Sequence, residues 1–113
     1  MYKFMHFRTE GLELDSISSK GGATAAYVEK GGKIYAAFAF CNPDDNFNFR
    51  YGRAKAKGRL VQLQKKPELV DDHKYHIIDK DELGDRTLVE EFLKRLGDNG
   101  YFDLFHPGTG LWA

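Results

Sequence analysis

This sequence of 113 residues is poor in cysteine, has no long apolar run and carries no net charge. A single cysteine excludes an intrachain disulfide framework and favours a reducing compartment. We find no apolar leader and no run of about eighteen apolar residues, so the sequence predicts neither a secretion signal nor a membrane-spanning helix. We therefore expect a soluble protein of the cytoplasm.

The zero net charge excludes a global field that would draw the chain to nucleic acid or to a membrane. The average hides a basic segment between Asn46 and Pro67, which has no acidic residue and is followed by an acidic segment at 68–91. One cationic segment in a neutral chain suits a small anion better than a long polyanion, so long nucleic acid is disfavoured. The basic segment contains Arg50, Arg53, Lys55, Lys57, Arg59, Lys65 and Lys66.

The length and the 42% hydrophobic content predict one folded domain over residues 1–113. Strand-like patterns come before helical ones, which predicts an α+β fold in which an antiparallel sheet from the N-terminal half packs with two main helices. Gly31-Gly32 lies between two of these patterns and predicts a hairpin, because such turns need positive φ. The predicted strands are 3–9, 12–18, 23–29, 33–41 and 74–78, and the predicted helices lie near 44–60 and 87–96.

The first predicted helix has a basic stripe. Pro43 suits the first turn of a helix, and the polar residues around it suit its cap. Helical spacing would then align Asn46, Arg50, Arg53 and Lys57, with apolar side chains on both sides of them.

The second predicted helix is amphipathic, with Glu90 and Glu91 expected to face water and Gly97 expected to end it. The segment at 101–112 is too aromatic for a free tail, so we expect it to pack on the domain or on a second copy of the chain.

The sequence does not indicate an enzyme, a metal or a cofactor. Cys41 ends an apolar strand, where a structural thiol is commoner than a nucleophile. His73 and His76 have a spacing that suits a metal only on a helix, and their surroundings predict a strand. The carboxylates at 79–91 are typical of a solvated surface, and the Gly-Thr-Gly at 108–110 lacks the lysine of a phosphate-binding loop.

The basic segment and its aromatic neighbours are the best candidate for a binding site. Cationic side chains pair with phosphate and aromatic rings stack on a base, so the mixture suits a nucleotide. A solvated helix face with aromatics turned to the core is the structural alternative. The predicted ligand-binding residues are Phe40, Asn42, Asp45, Asn46, Phe47, Arg50, Arg53, Lys57 and Arg59.

The centre of the chain resembles a family of small phage proteins that inhibit Thoeris defence as molecular sponges. The similar features are the stretch 37–47, which reads AFAFCNPDDNF, and the two Gly-Arg pairs at Gly52-Arg53 and Gly58-Arg59. Gly21, Gly22 and Thr24 fit an earlier hairpin strand of that family.

This resemblance implies a phage protein of the host cytoplasm that binds cyclic ADP-ribose isomers made by TIR-domain enzymes and does not degrade them. It also implies a homo-oligomer, a dimer or larger, with cyclic oligonucleotides as further ligands in some relatives. The alternatives from the sequence are a small nucleic-acid-binding module or a protein inhibitor of phage origin.

Overall fold

The computed structural model describes residues 2–8 and 20–98 and forms one four-stranded antiparallel sheet with helices on both faces. The strands follow one another across the sheet in the order β1-β2-β3-β4, which confirms the α+β prediction. Within these residues, the helices are too short or too polar to cross a membrane. The elements are β1 (Lys3–Phe7), β2 (Lys20–Lys30), β3 (Lys33–Asn46), α1 (Phe49–Lys65), a 3₁₀ turn (Pro67–Asp71), β4 (Tyr75–Asp79), α2 (Lys80–Leu83) and α3 (Leu88–Asp98).

The predicted hairpin is present between β2 and β3. Lys30 pairs with Lys33, which leaves a two-residue loop of Gly31 and Gly32. Both glycines have positive φ, 58° and 77°, as a tight turn between right-twisted strands requires. The hairpin prediction is therefore confirmed.

One face of the sheet packs against α3, and we call it the α3 face. Phe92 of α3 is fully buried and makes edge-on ring contacts with Phe7, Tyr27 and Phe38, at centroid distances of 6.3, 5.6 and 5.4 Å. Such aromatic pairs add to the hydrophobic gain of burying the rings. The second predicted helix, α3, therefore covers the hydrophobic core on this face of the sheet.

The opposite face, the α1 face, packs against α1. Ala56, Leu60 and Leu63 of the helix are fully buried there. The sheet meets them with alanines at neighbouring positions, Ala26 and Ala37 among them, because period-2 alternation sends every second side chain to this face. Small side chains on the strands let the helix backbone come close to the sheet.

The start of α1 differs from its prediction. Pro43 lies inside β3, where the pairing with β2 shifts between Cys41 and Asn46, and a proline is tolerated in such a bulge because its position needs no donor for the ladder. The helix begins at Phe49, and Asn48 caps it by accepting a hydrogen bond from the Tyr51 amide at 2.9 Å. The prediction of a helix from residue 44 was wrong for this reason.

Two details of α3 were also predicted wrongly. Glu91 is buried, with 4% of its surface exposed, because Arg86 and Arg95 each pair with one of its oxygens, at 2.9 and 2.8 Å. A carboxylate can be buried when cations compensate it. Gly97 lies within the helix and does not end it. The predicted strand at 12–18 and the aromatic segment at 101–112 lie outside the described residues.

The glycines of α1 provide a test of the close approach between helix and sheet. A Cβ at Gly52 would lie 2.5 Å from Thr24 Oγ1, whereas a Cβ at Gly58 would have no neighbour within 4 Å. We expect Gly58→Ala to stabilise the protein by about 0.5–1 kcal/mol, because alanine is the better helix former. Gly52→Ala has the same helical gain, yet the clash should make it destabilising by about 1–3 kcal/mol.

Urea denaturation of the two variants and the parent protein measures both effects. Because the substitution is the same in both variants, Gly58→Ala controls for helix propensity. Equal stabilisation by both would show that α1 does not lie this close to Thr24.

Candidate functional site

A cavity of about 350 Å³ opens on the α1 face, between the end of β3 and the first two turns of α1. This volume falls within the range of small-molecule sites. Its walls are aromatic at Phe40, Phe47 and Tyr51 and apolar or small at Ala39, Cys41 and Gly52, and its polar groups belong to Thr24, Asp45, Asn46, Asn48 and Lys55.

The backbone creates the cavity through two close approaches. Gly22 has a φ of 126°, and a Cβ there would lie 2.5 Å from the Phe7 carbonyl oxygen and 2.7 Å from the Phe47 ring. Its lack of a side chain lets Phe47 fold over the end of the sheet. Gly52 similarly lets the first turns of α1 lie against Thr24. The bulge of β3 then carries the chain across from the sheet to the helix.

Four of the predicted ligand-binding residues line the cavity: Phe40, Asp45, Asn46 and Phe47. They meet there because the end of β3 and the start of α1 together form the walls of the cavity. The placement of the Asn42 side chain lies outside what the structure describes.

The four predicted basic residues lie away from the cavity lining. Arg50 and Lys57 are exposed on α1. Arg59 donates a hydrogen bond to the Phe38 carbonyl oxygen at 2.7 Å, and Arg53 turns toward His6. Arg50, Arg53 and Lys57 keep their predicted helical spacing on α1, but Asn46 is not part of this row, because it belongs to β3 and α1 starts three residues later.

Sequence reasoning missed one helical row that faces the cavity. Asn48, Tyr51, Gly52 and Lys55 have the spacing of one helix face, three, one and three residues apart. If the helix cap had been placed at Asn48 and not near Pro43, helical spacing would have predicted this row. The Lys55 ammonium nitrogen lies 5.7 Å from the centroid of the Tyr51 ring, which places a cation beside an aromatic wall.

Behind the cavity lies a buried histidine. His6 is fully buried, and its Nδ1 lies 3.0 Å from Thr24 Oγ1 on the neighbouring strand. Arg53 donates its Nε–H to His6 Nε2 at 3.1 Å. Because a guanidinium can only donate, His6 Nε2 must accept, and the single ring proton sits on Nδ1. His6 therefore donates to Thr24.

Two arginines and two phenylalanines enclose this histidine. The rings of Phe47 and Phe49 meet His6 edge-on, at centroid distances of 5.8 and 4.7 Å. Arg8 lies over both phenylalanine rings, with its Cζ 4.7 Å from the Phe47 centroid and 5.2 Å from the Phe49 centroid. Two guanidinium groups thus stand close behind one wall of the cavity, and their positive charge favours an anionic ligand.

Burial, together with the charges of Arg53 and Arg8, lowers the pKa of His6 to about 4. His6 is consequently uncharged at neutral pH and stays a hydrogen-bond acceptor for Arg53. The Cys41 thiol, which also lines the cavity, donates to the carbonyl oxygens of Asp45 and Asn46, at 3.5 and 3.6 Å.

A second histidine cluster lies on the α3 face. His76 donates Nε2–H to the His73 carbonyl oxygen at 2.9 Å and accepts from Arg95 Nη1 at 3.1 Å. Burial lowers the pKa of His76 and is the largest of several effects on it. His73 stacks on Phe40, with centroids 5.6 Å apart. Within residues 2–8 and 20–98, His, Cys, Asp and Glu side chains do not gather in any group of three that could hold a metal ion.

Comparison of the chain with protein-family models, with curated proteins and with solved structures gives no match. The function is therefore inferred from the cavity and its surroundings.

The lowered pKa of His6 predicts how stability changes with pH. Above pH 6.5, His6 is neutral in both the folded and the unfolded chain. As the pH falls from 6.5 toward 4, the unfolded chain binds a proton that the folded chain does not, so stability is lost across this window. The full loss from His6 should be about 3 kcal/mol.

Urea denaturation at several pH values between 7 and about 4 measures this loss, with His6→Gln as the reference. Glutamine can accept from Arg53 and donate to Thr24 but does not titrate. The variant retains His76 and every other titrating group, so the difference between the two pH profiles belongs to His6. Parallel profiles would contradict the lowered pKa.

Proposed function

We propose that this protein binds and sequesters a small cyclic nucleotide and does not degrade it. The observation that carries the proposal is the cavity on the α1 face, which combines three aromatic walls with a lysine and two asparagines. Flat rings suit stacking of a nucleobase, and a cation with several polar groups suits a phosphate and a ribose. The sequence resemblance favours cyclic ADP-ribose isomers as the ligands.

The charge around the cavity supports an anionic ligand. Lys55 reaches the cavity from α1, and the guanidinium groups of Arg8 and Arg53 stand behind Phe47 and His6. Asp45 is the acidic residue among the lining side chains. Because a carboxylate repels phosphate but accepts hydrogen bonds from hydroxyl groups, Asp45 suits a ribose hydroxyl.

The hydrogen bonds near the cavity favour binding over catalysis. The Cys41 thiol donates to the backbone carbonyl oxygens of Asp45 and Asn46, which are not bases that could activate a nucleophile. His6 is the nearest buried histidine, and both of its nitrogens are used by Thr24 and Arg53. A protein of this kind acts by depleting its ligand, which requires a dissociation constant below the ligand concentration, so we expect nanomolar affinity.

Two variants that line the cavity and one on the exposed surface of α1 test the site. Calorimetry with cyclic ADP-ribose should show weaker binding for Tyr51→Ala, by about 1–3 kcal/mol, because a base loses its stacking partner. Lys55→Ala should also weaken binding, through loss of the cation. Lys57→Ala is the matched control: it removes an exposed lysine two residues away that does not line the cavity.

Two results would contradict the proposal. Equal losses for Lys55→Ala and Lys57→Ala would move the ligand from the cavity to the exposed basic surface of α1. A steep fall of affinity with salt, measured with single-stranded oligonucleotides, would favour the alternative of a nucleic-acid-binding module.

The absence of turnover has a test of its own. We expect full recovery of intact cyclic ADP-ribose after hours with the protein, followed by heat denaturation and chromatography. Progressive conversion to a linear product that stops in Cys41→Ala would instead make the protein an enzyme.

We also propose that the protein assembles into a homo-oligomer, as the sequence resemblance implies. Phe49 and Val70 expose 38% and 42% of their surfaces, which is apolar area that a second copy can cover. Sedimentation at micromolar concentration should give a mass above that of the 12.9 kDa chain. A species at the chain mass would contradict the assembly.

A further inference from the structure

The Thr24 hydroxyl is a hydrogen-bond donor that has no acceptor among the residues that the structure describes. Thr24 lines the cavity, although only 1% of its surface is exposed. Its hydroxyl oxygen accepts a hydrogen bond from His6 Nδ1–H at 3.0 Å. A threonine hydroxyl carries one hydrogen in addition to its lone pairs, and this hydrogen remains to be donated.

The direction of the His6–Thr24 hydrogen bond depends on Arg53. A neutral histidine has one ring proton, and either nitrogen can carry it. Arg53 Nε–H is directed at His6 Nε2, 3.1 Å away, which forces that nitrogen to accept and places the proton on Nδ1. If Nε2 carried the proton, Nδ1 would accept and the Thr24 hydroxyl would turn inward to donate to it.

We propose that the Thr24 hydroxyl donates a hydrogen bond to an acceptor atom of the bound ligand, and that Arg53 is a positioning residue that keeps this donor available by fixing the tautomer of His6. The inference rests on the proposed function, since it concerns the same cavity. It assigns the ligand an acceptor without a hydrogen of its own, such as a phosphoryl oxygen, a carbonyl oxygen or a ring nitrogen, at the floor of the cavity. A buried donor of this kind discriminates strongly, because a ligand without the acceptor leaves it unpaired.

The packing around Thr24 supports a role beyond filling space. Gly52 comes so close to Thr24 Oγ1 that any side chain at position 52 would collide with it. The absence of a side chain on that side leaves the hydroxyl at the junction of β2, α1 and the cavity. Arg53, the next residue along α1, reaches His6 on β1. The helix thus packs against Thr24 at the edge of the cavity and, through Arg53, holds the histidine behind it.

Two substitutions at Thr24 separate its hydroxyl from its shape. Thr24→Val has nearly the same volume but has no hydroxyl, and we expect its affinity for cyclic ADP-ribose to fall about tenfold. Thr24→Ser retains the hydroxyl and should bind within about threefold of the parent protein, because the remaining difference is one methyl group. Circular dichroism at the assay temperature shows that each variant is folded. Unchanged binding by Thr24→Val would overturn the proposed contact.

The role of Arg53 is tested by Arg53→Met, which retains an unbranched chain but has no donor. Without the Arg53 donor, the proton of His6 can move to Nε2, and the Thr24 hydroxyl then donates to Nδ1 and is lost to the ligand. We expect a loss of affinity similar to that of Thr24→Val. Arg53→Met should weaken binding little further when it is made in the Thr24→Val protein, since both act on one hydrogen bond.

The nitrogen chemical shifts of His6 in the ligand-free protein provide a readout that a merely structural arginine would not move. In the parent protein, we expect a protonated Nδ1 and an unprotonated Nε2, and in Arg53→Met a shift toward the other tautomer. This measurement needs no ligand and remains available if a Thr24 variant fails to fold. The opposite tautomer in the parent protein would overturn the assignment.

The experiments distinguish failure of this inference from failure of the proposed function. If the parent protein does not bind cyclic ADP-ribose or the other cyclic nucleotides tested, the proposed function and the ligand contact fall together, and the tautomer measurement alone decides the role of Arg53. If the parent protein binds but additive losses appear in the double variant, the function stands. The coupling of Arg53 to Thr24 is then wrong, and Arg53 affects binding by a route that does not involve the Thr24 hydroxyl.

Discussion

The close approach of α1 to the sheet is the constraint on which most of this structure depends. Gly52 sits against Thr24, and the fully buried alanines of β2 and β3 let the rest of the helix pack at a short distance. Protein interiors tolerate little overpacking, so one added carbon at position 52 would push the helix away. The same contact brings Tyr51 and Lys55 to one side of the cavity and Arg53 to His6 on the other.

The buried histidine links the stability of this contact to the chemistry of the cavity. Each ring nitrogen of His6 has one partner, and the partners come from different elements, Thr24 on β2 and Arg53 on α1. A buried polar network is stable only when its members are satisfied, since an unpaired polar group in the interior is costly. Burial and two nearby guanidinium groups keep His6 neutral. The network therefore holds α1 to the sheet, and its Thr24 member lines the cavity.

The sequence predicted the parts of the fold that depend on local chemistry. The glycine pair at 31–32 identified the hairpin, and the amphipathic pattern near 87–96 identified α3. The start of α1 was predicted wrongly from Pro43. A proline suits a strand bulge as well as a helix start, and only the pairing of β3 with β2 distinguishes the two. The burial of Glu91 was missed for a similar reason, since its compensating cation Arg86 lies in a loop before the helix.

The sequence by itself determined the element types, the antiparallel hairpin and the concentration of aromatic and basic residues between 40 and 59. Tertiary structure alone decided which of those residues share a cavity. Phe40, Asp45, Asn46 and Phe47 meet Tyr51 and Lys55 because the bulge in β3 delays α1 until Phe49, which shifts the helical rows relative to the sheet. A delay of a few residues rotates every side chain of a helix to a new direction, and hydrophobic patterning near a bulge does not fix that delay.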